Sequence, residues 1–139
     1  MERMESEAWS IDDARQLYRI DEWGNGYFHI GDEGEVHVHL KGKNSQAATS
    51  LKQIANGLQE RGLKLPVLLR FSDLLDDRIR YINESFATSI AEAGYRGAYR
   101  GVYPIKVNQQ QQVIEEITRF GKQYHHGLET GSKAELIIA

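Results

Sequence analysis

The stretch Val102-Tyr103-Pro104-Ile105-Lys106-Val107-Asn108 sets a lysine near the end of an apolar, β-branched run, and its neighbours decide the fold. Upstream, Leu65-Pro66-Val67-Leu68-Leu69-Arg70-Phe71 is almost continuously apolar and entered by a proline, the pattern of a strand buried on both faces. Downstream, His126 to Glu129 gives a shorter strand. Helical spacing fills the gaps. Ser72 can cap a helix carrying Leu74, Leu75, Ile79, Ile82, Phe86 and Ile90 to a stop at Gly94. A second stripe, Val113, Ile114, Ile117 and Phe120, stops at Gly121. Ser132 and Glu135, spaced as a capping box, open a last helix. Strand centres near Leu68, Tyr103 and Leu128 lie 35 and 25 residues apart, close to the roughly 30 of a βαβ unit.

This texture predicts an α/β chain, the N-terminal part of a (β/α)8 TIM barrel with its first three strands. Such a barrel takes about 250 residues, so 139 residues are expected to be an N-terminal fragment. Ahead of the barrel, Tyr27-Phe28-His29-Ile30, a Gly/Asp turn and Glu35-Val36-His37-Val38-His39-Leu40 signal a β-hairpin. Asn44 to Arg61 shows helical spacing through Ala47, Ala48, Leu51, Ile54, Ala55 and Leu58. The organisation expected is an extension over 1–17 with a short helix from Ile11 to Leu17, a hairpin segment over 18–43 and an incomplete barrel over 44–139.

Composition narrows the chemistry. Seventeen basic against twenty acidic residues give a net charge of −3, with both signs interspersed and no basic block, which argues against a nucleic-acid partner. No apolar run approaches the roughly 20 residues that span a bilayer, and the polar, acidic start is no secretory signal, so a cytoplasmic protein without membrane contact is expected. The absence of cysteine removes thiolate nucleophiles and thiolate-bound metals. Lysine, histidine, carboxylates or a cofactor must carry any reaction.

Strand alternation from Val102 puts Pro104 and Lys106 on one face and Tyr103, Ile105 and Val107 on the other. A lysine buried there would have a lowered pKa and could attack a carbonyl; a strand-end lysine reaching solvent is the other reading. Arg70 and Glu129 end the flanking strands and would share the rim with Lys106, as catalytic neighbours or as a supporting ion pair. His37 and His39 could offer two ligands to zinc, with no third evident nearby, or lie on a solvated strand face. His125 and His126 read as surface or packing residues. Glu129-Thr130-Gly131-Ser132 could meet an anion or simply cap a helix.

Tyr103-Pro104-Ile105-Lys106-Val107-Asn108 resembles the Schiff-base strand of pyridoxal-phosphate enzymes of the alanine racemase and ornithine/diaminopimelate decarboxylase class. Three further blocks narrow this to the biosynthetic arginine decarboxylases: Trp23-Gly24-Asn25-Gly26-Tyr27-Phe28, Leu65 to Phe71, and His126 through Leu136. Pro104, odd for a strand, is typical of that branch. The resemblance implies a barrel followed by a β domain to which the early hairpin belongs. It also implies conversion of L-arginine to agmatine and carbon dioxide in arginine catabolism, on the route to putrescine and spermidine, with pyridoxal 5'-phosphate and Mg2+. Lys106 carries over as the Schiff-base lysine, Glu129 as its support, and Arg70 as a further cofactor-binding candidate. Ornithine, lysine or diaminopimelate as substrate, or a noncatalytic interaction module, are the alternatives. The phosphate loop, the guanidinium-reading acids and the residues of the partner in a homo-oligomer lie beyond Ala139 in the family pattern.

Overall fold

The structure, a computed structural model, describes residues 8–139. The chain forms two compact units, one ending at Arg70 and the other running from Phe71 to Ala139. Both mix helix and strand. The opening helix is α1, Ile11–Tyr18, where Ser10 Oγ accepts from Asp13 N at 3.1 Å and the Asp13 carboxylate accepts from Ser10 N at 2.8 Å. The short α2, Ile20–Trp23, leads into β1, Phe28–Ile30.

The hairpin forms as the turn residues suggest: β1 pairs antiparallel with β2, Val36–His39, in the register His29 opposite His37. A third strand, β3 (Ala48–Ser50), extends the sheet on the other side of β2. The expected helix therefore starts late, as α3, Leu51–Glu60. Ala47 and Ala48 continue the helical spacing, but Leu40 N donates to Ala47 O at 2.7 Å and His39 pairs with Ala48, so pairing captures them first. Ser50 serves both elements: it ends β3, is 1% exposed, and its hydroxyl accepts from Gln53 N at 3.2 Å to cap α3 while donating to Glu35 at 2.5 Å. Ser50→Ala is expected to cost about 1–2 kcal/mol, the upper range for a lost N-cap, because Glu35 also loses its donor. Urea denaturation checks this; an unchanged midpoint would contradict it.

The barrel expectation needs correction at its first strand. Residues 65–71 form no strand and pair with none among the described residues, and Leu65, Val67 and Leu68 are exposed rather than buried on two faces. Without a ladder partner an apolar run is not a strand. In the second unit α4, Ser72–Glu92, is the long helix expected, but Phe71 rather than Ser72 holds the cap position, and the Ser72 hydroxyl donates to Glu116 instead. Its C-terminal stop is Gly94, at φ +60, where the chain reverses and Tyr95 N donates to Ile90 O.

The strand expected over Ala98 to Val107 is shorter, β4 at Val102–Pro104, and gives way to a 3-10 turn over Ile105–Val107. Helix α5, Gln111–Gly121, then returns the chain to β5, Gly127–Glu129, parallel to β4 with Pro104 opposite Glu129. Ile79, Val113 and Ile117 form the core of this unit, with Leu75, Tyr103, Phe120, Tyr124 and Leu128 packed around them. The last helix, α6, Lys133–Ile138, is capped by Ser132, whose hydroxyl accepts from Glu135 N at 3.2 Å. The Glu135 carboxylate reaches one residue further back than a capping box, to Gly131 N at 2.6 Å.

Candidate functional site

Parallel pairing of β4 and β5 brings their carboxyl ends together, and Lys106 follows one of those ends by two residues while Glu129 closes the other. The turn presents the lysine outward. Ile105 is 2% exposed and anchors the turn in the unit's interior, whereas Lys106 and Val107 on either side of the bend face solvent. Of the two readings of Lys106, the solvent-reaching one holds, and strict alternation is corrected because the 3-10 turn breaks the two-residue period at Ile105. Beyond it, Asn108 Oδ1 accepts from Gln110 N at 3.1 Å and steers the chain into α5.

Lys106 makes no ion pair or hydrogen bond among the described residues, and Glu129 is half-buried without a salt bridge to it. The amine is therefore uncommitted. Arg70 ends the first unit as an exposed residue of the extended segment. A cavity of about 400 Å³ opens beside the turn, lined by Ile105, Gln109, Ile114, Glu115, Leu128 and Ile138. Lys106 is not part of its lining.

Under the strand pair lies a feature invisible to local patterning. His126 is wedged between two glycines: a Cβ on Gly101 would stand 2.4 Å from His126 Nδ1, and one on Gly121 would stand 2.6 Å from His126 Cβ. Backbone bonds from His126 N to Gly121 O, 3.0 Å, and from Gly127 N to Gly101 O, 2.8 Å, fix the wedge. His126 Nδ1 is buried without a hydrogen-bond partner. Burial pushes its pKa below the ordinary imidazole value. His29 in the first unit is shifted the same way, by burial and then by His39, His37 and Arg15, against an opposing pull from Glu33.

For a group whose folded pKa is lowered, the unfolded chain takes up the proton first. Stability is then complete above the unfolded imidazole value, about 6.5, and is lost as pH falls below it. The chain should unfold at lower urea at about pH 5.5 than at about pH 7.5. Equal midpoints would show that neither histidine is held neutral.

No family model matches the chain. Individual proteins do match. The chain is 51% identical over 131 residues to a biosynthetic arginine decarboxylase of Thermosynechococcus vestitus and 48% identical over 134 residues to one of Nostoc sp., covering 94% and 96% of this chain. By sequence, the chain is similar to the biosynthetic arginine decarboxylases. It spans about a fifth, 20%, of the length of these curated relatives. Its backbone is also similar to the crystal structure of the biosynthetic arginine decarboxylase of Campylobacter jejuni, with a TM-score of 0.78 at 39% identity over 88% of this chain and 20% of that one. The matched span of the arginine decarboxylase family thus contains both units described above, including the β4–β5 pair and its lysine. No helix among the described residues is long and apolar enough to cross a membrane.

Proposed function

We propose that this chain supplies the cofactor-holding lysine of a cytoplasmic, pyridoxal-phosphate-dependent arginine decarboxylase that releases agmatine and carbon dioxide. One observation carries the proposal: an uncommitted lysine at the carboxyl end of a parallel strand pair, in a chain 51% identical to a biosynthetic arginine decarboxylase. The parallel pair with its connecting helix is read as one βαβ portion of a (β/α)8 barrel, in which catalytic groups gather at the carboxyl ends of the strands.

The residues fit the cofactor. Lys106 offers a primary amine that faces solvent and spends no lone pair or proton on a protein partner, the condition for condensing with an aldehyde. Pyridoxal phosphate, when bound, supplies an electron sink for the charge left when carbon dioxide departs. Lys106 would hold it through Nζ. Glu129, whose ladder partner is Pro104, places a carboxylate at the same end of the strand pair. Ile105 keeps the amine at a constant height above the strands by staying buried. Among the described residues, those beside Lys106 do not form the near-octahedral oxygen cage that magnesium asks for.

Carbon dioxide release from L-arginine by a full-length enzyme carrying this sequence tests the proposal. Arginine is expected to be preferred over ornithine, lysine and diaminopimelate by at least an order of magnitude, since a site built for a hydrogen-bonding group rejects analogues lacking it. Equal or greater release from any of the other three would overturn the substrate assignment.

A further inference from the structure

We propose that Asn108 is a positioning residue for Lys106, its side chain tying down the far end of the turn that carries the lysine. The inference rests on the reading of Lys106 as the residue that holds the cofactor. Lys106 is the middle of the three-residue 3-10 turn Ile105–Val107, which no side chain caps. Such turns have poor internal hydrogen-bond geometry and depend on what holds them from outside. At the near end Ile105 is buried in the unit's interior, 2% exposed. Lys106 and Val107 then turn to solvent and offer the core nothing.

Asn108 is the second anchor. It is half-buried in extended backbone, and its Oδ1 accepts from Gln110 N at 3.1 Å. That bond fixes the chain where α5 begins. Gln110 stands at the cap position, and its carbonyl accepts from Val113 N at 2.9 Å and from Ile114 N at 3.2 Å. Val113 belongs to the core of the unit. The Gln110 side chain gives the helix no cap bond, and the Gln111 side chain donates to Glu115 at 2.7 Å, so neither glutamine does what Asn108 does. The turn that carries Lys106 is thereby clamped between two core positions, Ile105 directly and Val113 by way of Asn108 and the first turn of α5.

A lysine in this place needs the clamp. Its stem of four carbons is flexible, so the backbone fixes only where the stem starts and in which direction it leaves. Catalytic geometry tolerates little movement there, since a misplacement of about 1 Å costs about a hundredfold in rate. Removing the Asn108 acceptor frees the backbone after Lys106 while leaving the amine itself and its exposure unchanged. Aspartate carries the same Oδ1 acceptor, and its charge is favoured at the N-terminal end of a helix such as α5. Asn108→Asp should therefore keep the clamp that Asn108→Ala loses.

The full-length enzyme carrying this sequence, taken first without cofactor, tests the inference. Hydrogen exchange of the backbone amides over 107–112 is expected to rise at least about threefold in Asn108→Ala and to stay within about twofold of the unaltered enzyme in Asn108→Asp. On addition of pyridoxal phosphate, borohydride should still place a pyridoxyl group on Lys106 in both variants. The rate of attachment, followed by the absorbance of protein-bound cofactor in the folded fraction, should fall about tenfold in Asn108→Ala and recover to within about threefold in Asn108→Asp. With arginine, kcat should follow the same order at a KM within about twofold, a split that mere loss of folded protein would not rescue through aspartate. Attachment in Asn108→Ala within about twofold of the unaltered enzyme, or failure of Asn108→Asp to restore it while exchange over 107–112 stays low, would overturn the inference alone. Absence of the adduct from Lys106 in the unaltered enzyme would overturn the proposed function and this inference with it.

Discussion

A full-length decarboxylase carrying this sequence with Lys106→Ala is expected to lose activity by a factor on the order of a thousand or more, as removal of a covalent catalytic group commonly does. Cofactor attachment should vanish with it. The alternative, that Lys106 only contributes positive charge to the rim, is separated by Lys106→Arg: arginine keeps the charge but cannot condense with an aldehyde. Both variants should lose the absorbance of protein-bound cofactor, and only a charge role would let Lys106→Arg retain it. Because Lys106 is exposed and has no partner among the described residues, neither substitution removes a buried contact. Loss of activity without unfolding, checked by circular dichroism, is therefore the expected outcome.

The second large effect concerns the histidine wedge. Gly121→Ala is expected to destabilise the second unit by about 1–3 kcal/mol, the range for forcing an extra methyl into a packed site. The clash at Gly121 is with His126 Cβ, which no rotamer change can move, whereas at Gly101 it is with the ring atoms Nδ1 and Cε1. The two glycines should therefore behave differently in double-mutant cycles. His126→Ala removes the ring and should relieve Gly101→Ala, leaving a strong favourable coupling. It keeps the Cβ and should not relieve Gly121→Ala. Urea unfolding of the three single and two double variants measures this, and equal coupling at the two glycines would show that the ring, not its attachment point, sets the fit.

Much of the fold was legible because it obeys short-range periods. The stripe from Val113 to Phe120 places α5 and its buried face, and the aromatic and β-branched runs flanking the Gly/Asp turn place the hairpin. What escaped depends on partners distant in sequence. Ala48 reads as helix until β2 is there to pair with it. Residues 65–71 read as a buried strand only if something covers them, and among the described residues nothing pairs with them. The turn at Ile105 cannot be inferred from alternation, since a buried isoleucine fits a strand face and a 3-10 anchor equally well.

The candidate site divides the same way. Lys106 and Glu129 were readable as neighbours because the βαβ spacing alone sets their strands parallel, and the register of Pro104 with Glu129 follows. Solvent exposure of the lysine was one of two readings, and the break in strand geometry at Ile105, which alternation does not show, decides for it. His126 read as a packing residue, yet the glycines that make its niche stand 25 and 5 residues before it, and only the fold brings them to the ring. The neighbours of His37 were missed for a related reason. Glu33 bonds it across a tight turn, and His29 faces it from the neighbouring strand.

The most direct measurement is borohydride reduction of the full-length enzyme loaded with pyridoxal phosphate, followed by peptide mass mapping. A single pyridoxyl group on the peptide containing Lys106 is the expected result. An adduct on any other lysine, such as Lys122 or Lys133 in the same unit, or none on a fully loaded enzyme, would contradict the assignment of Lys106 as the residue that holds the cofactor.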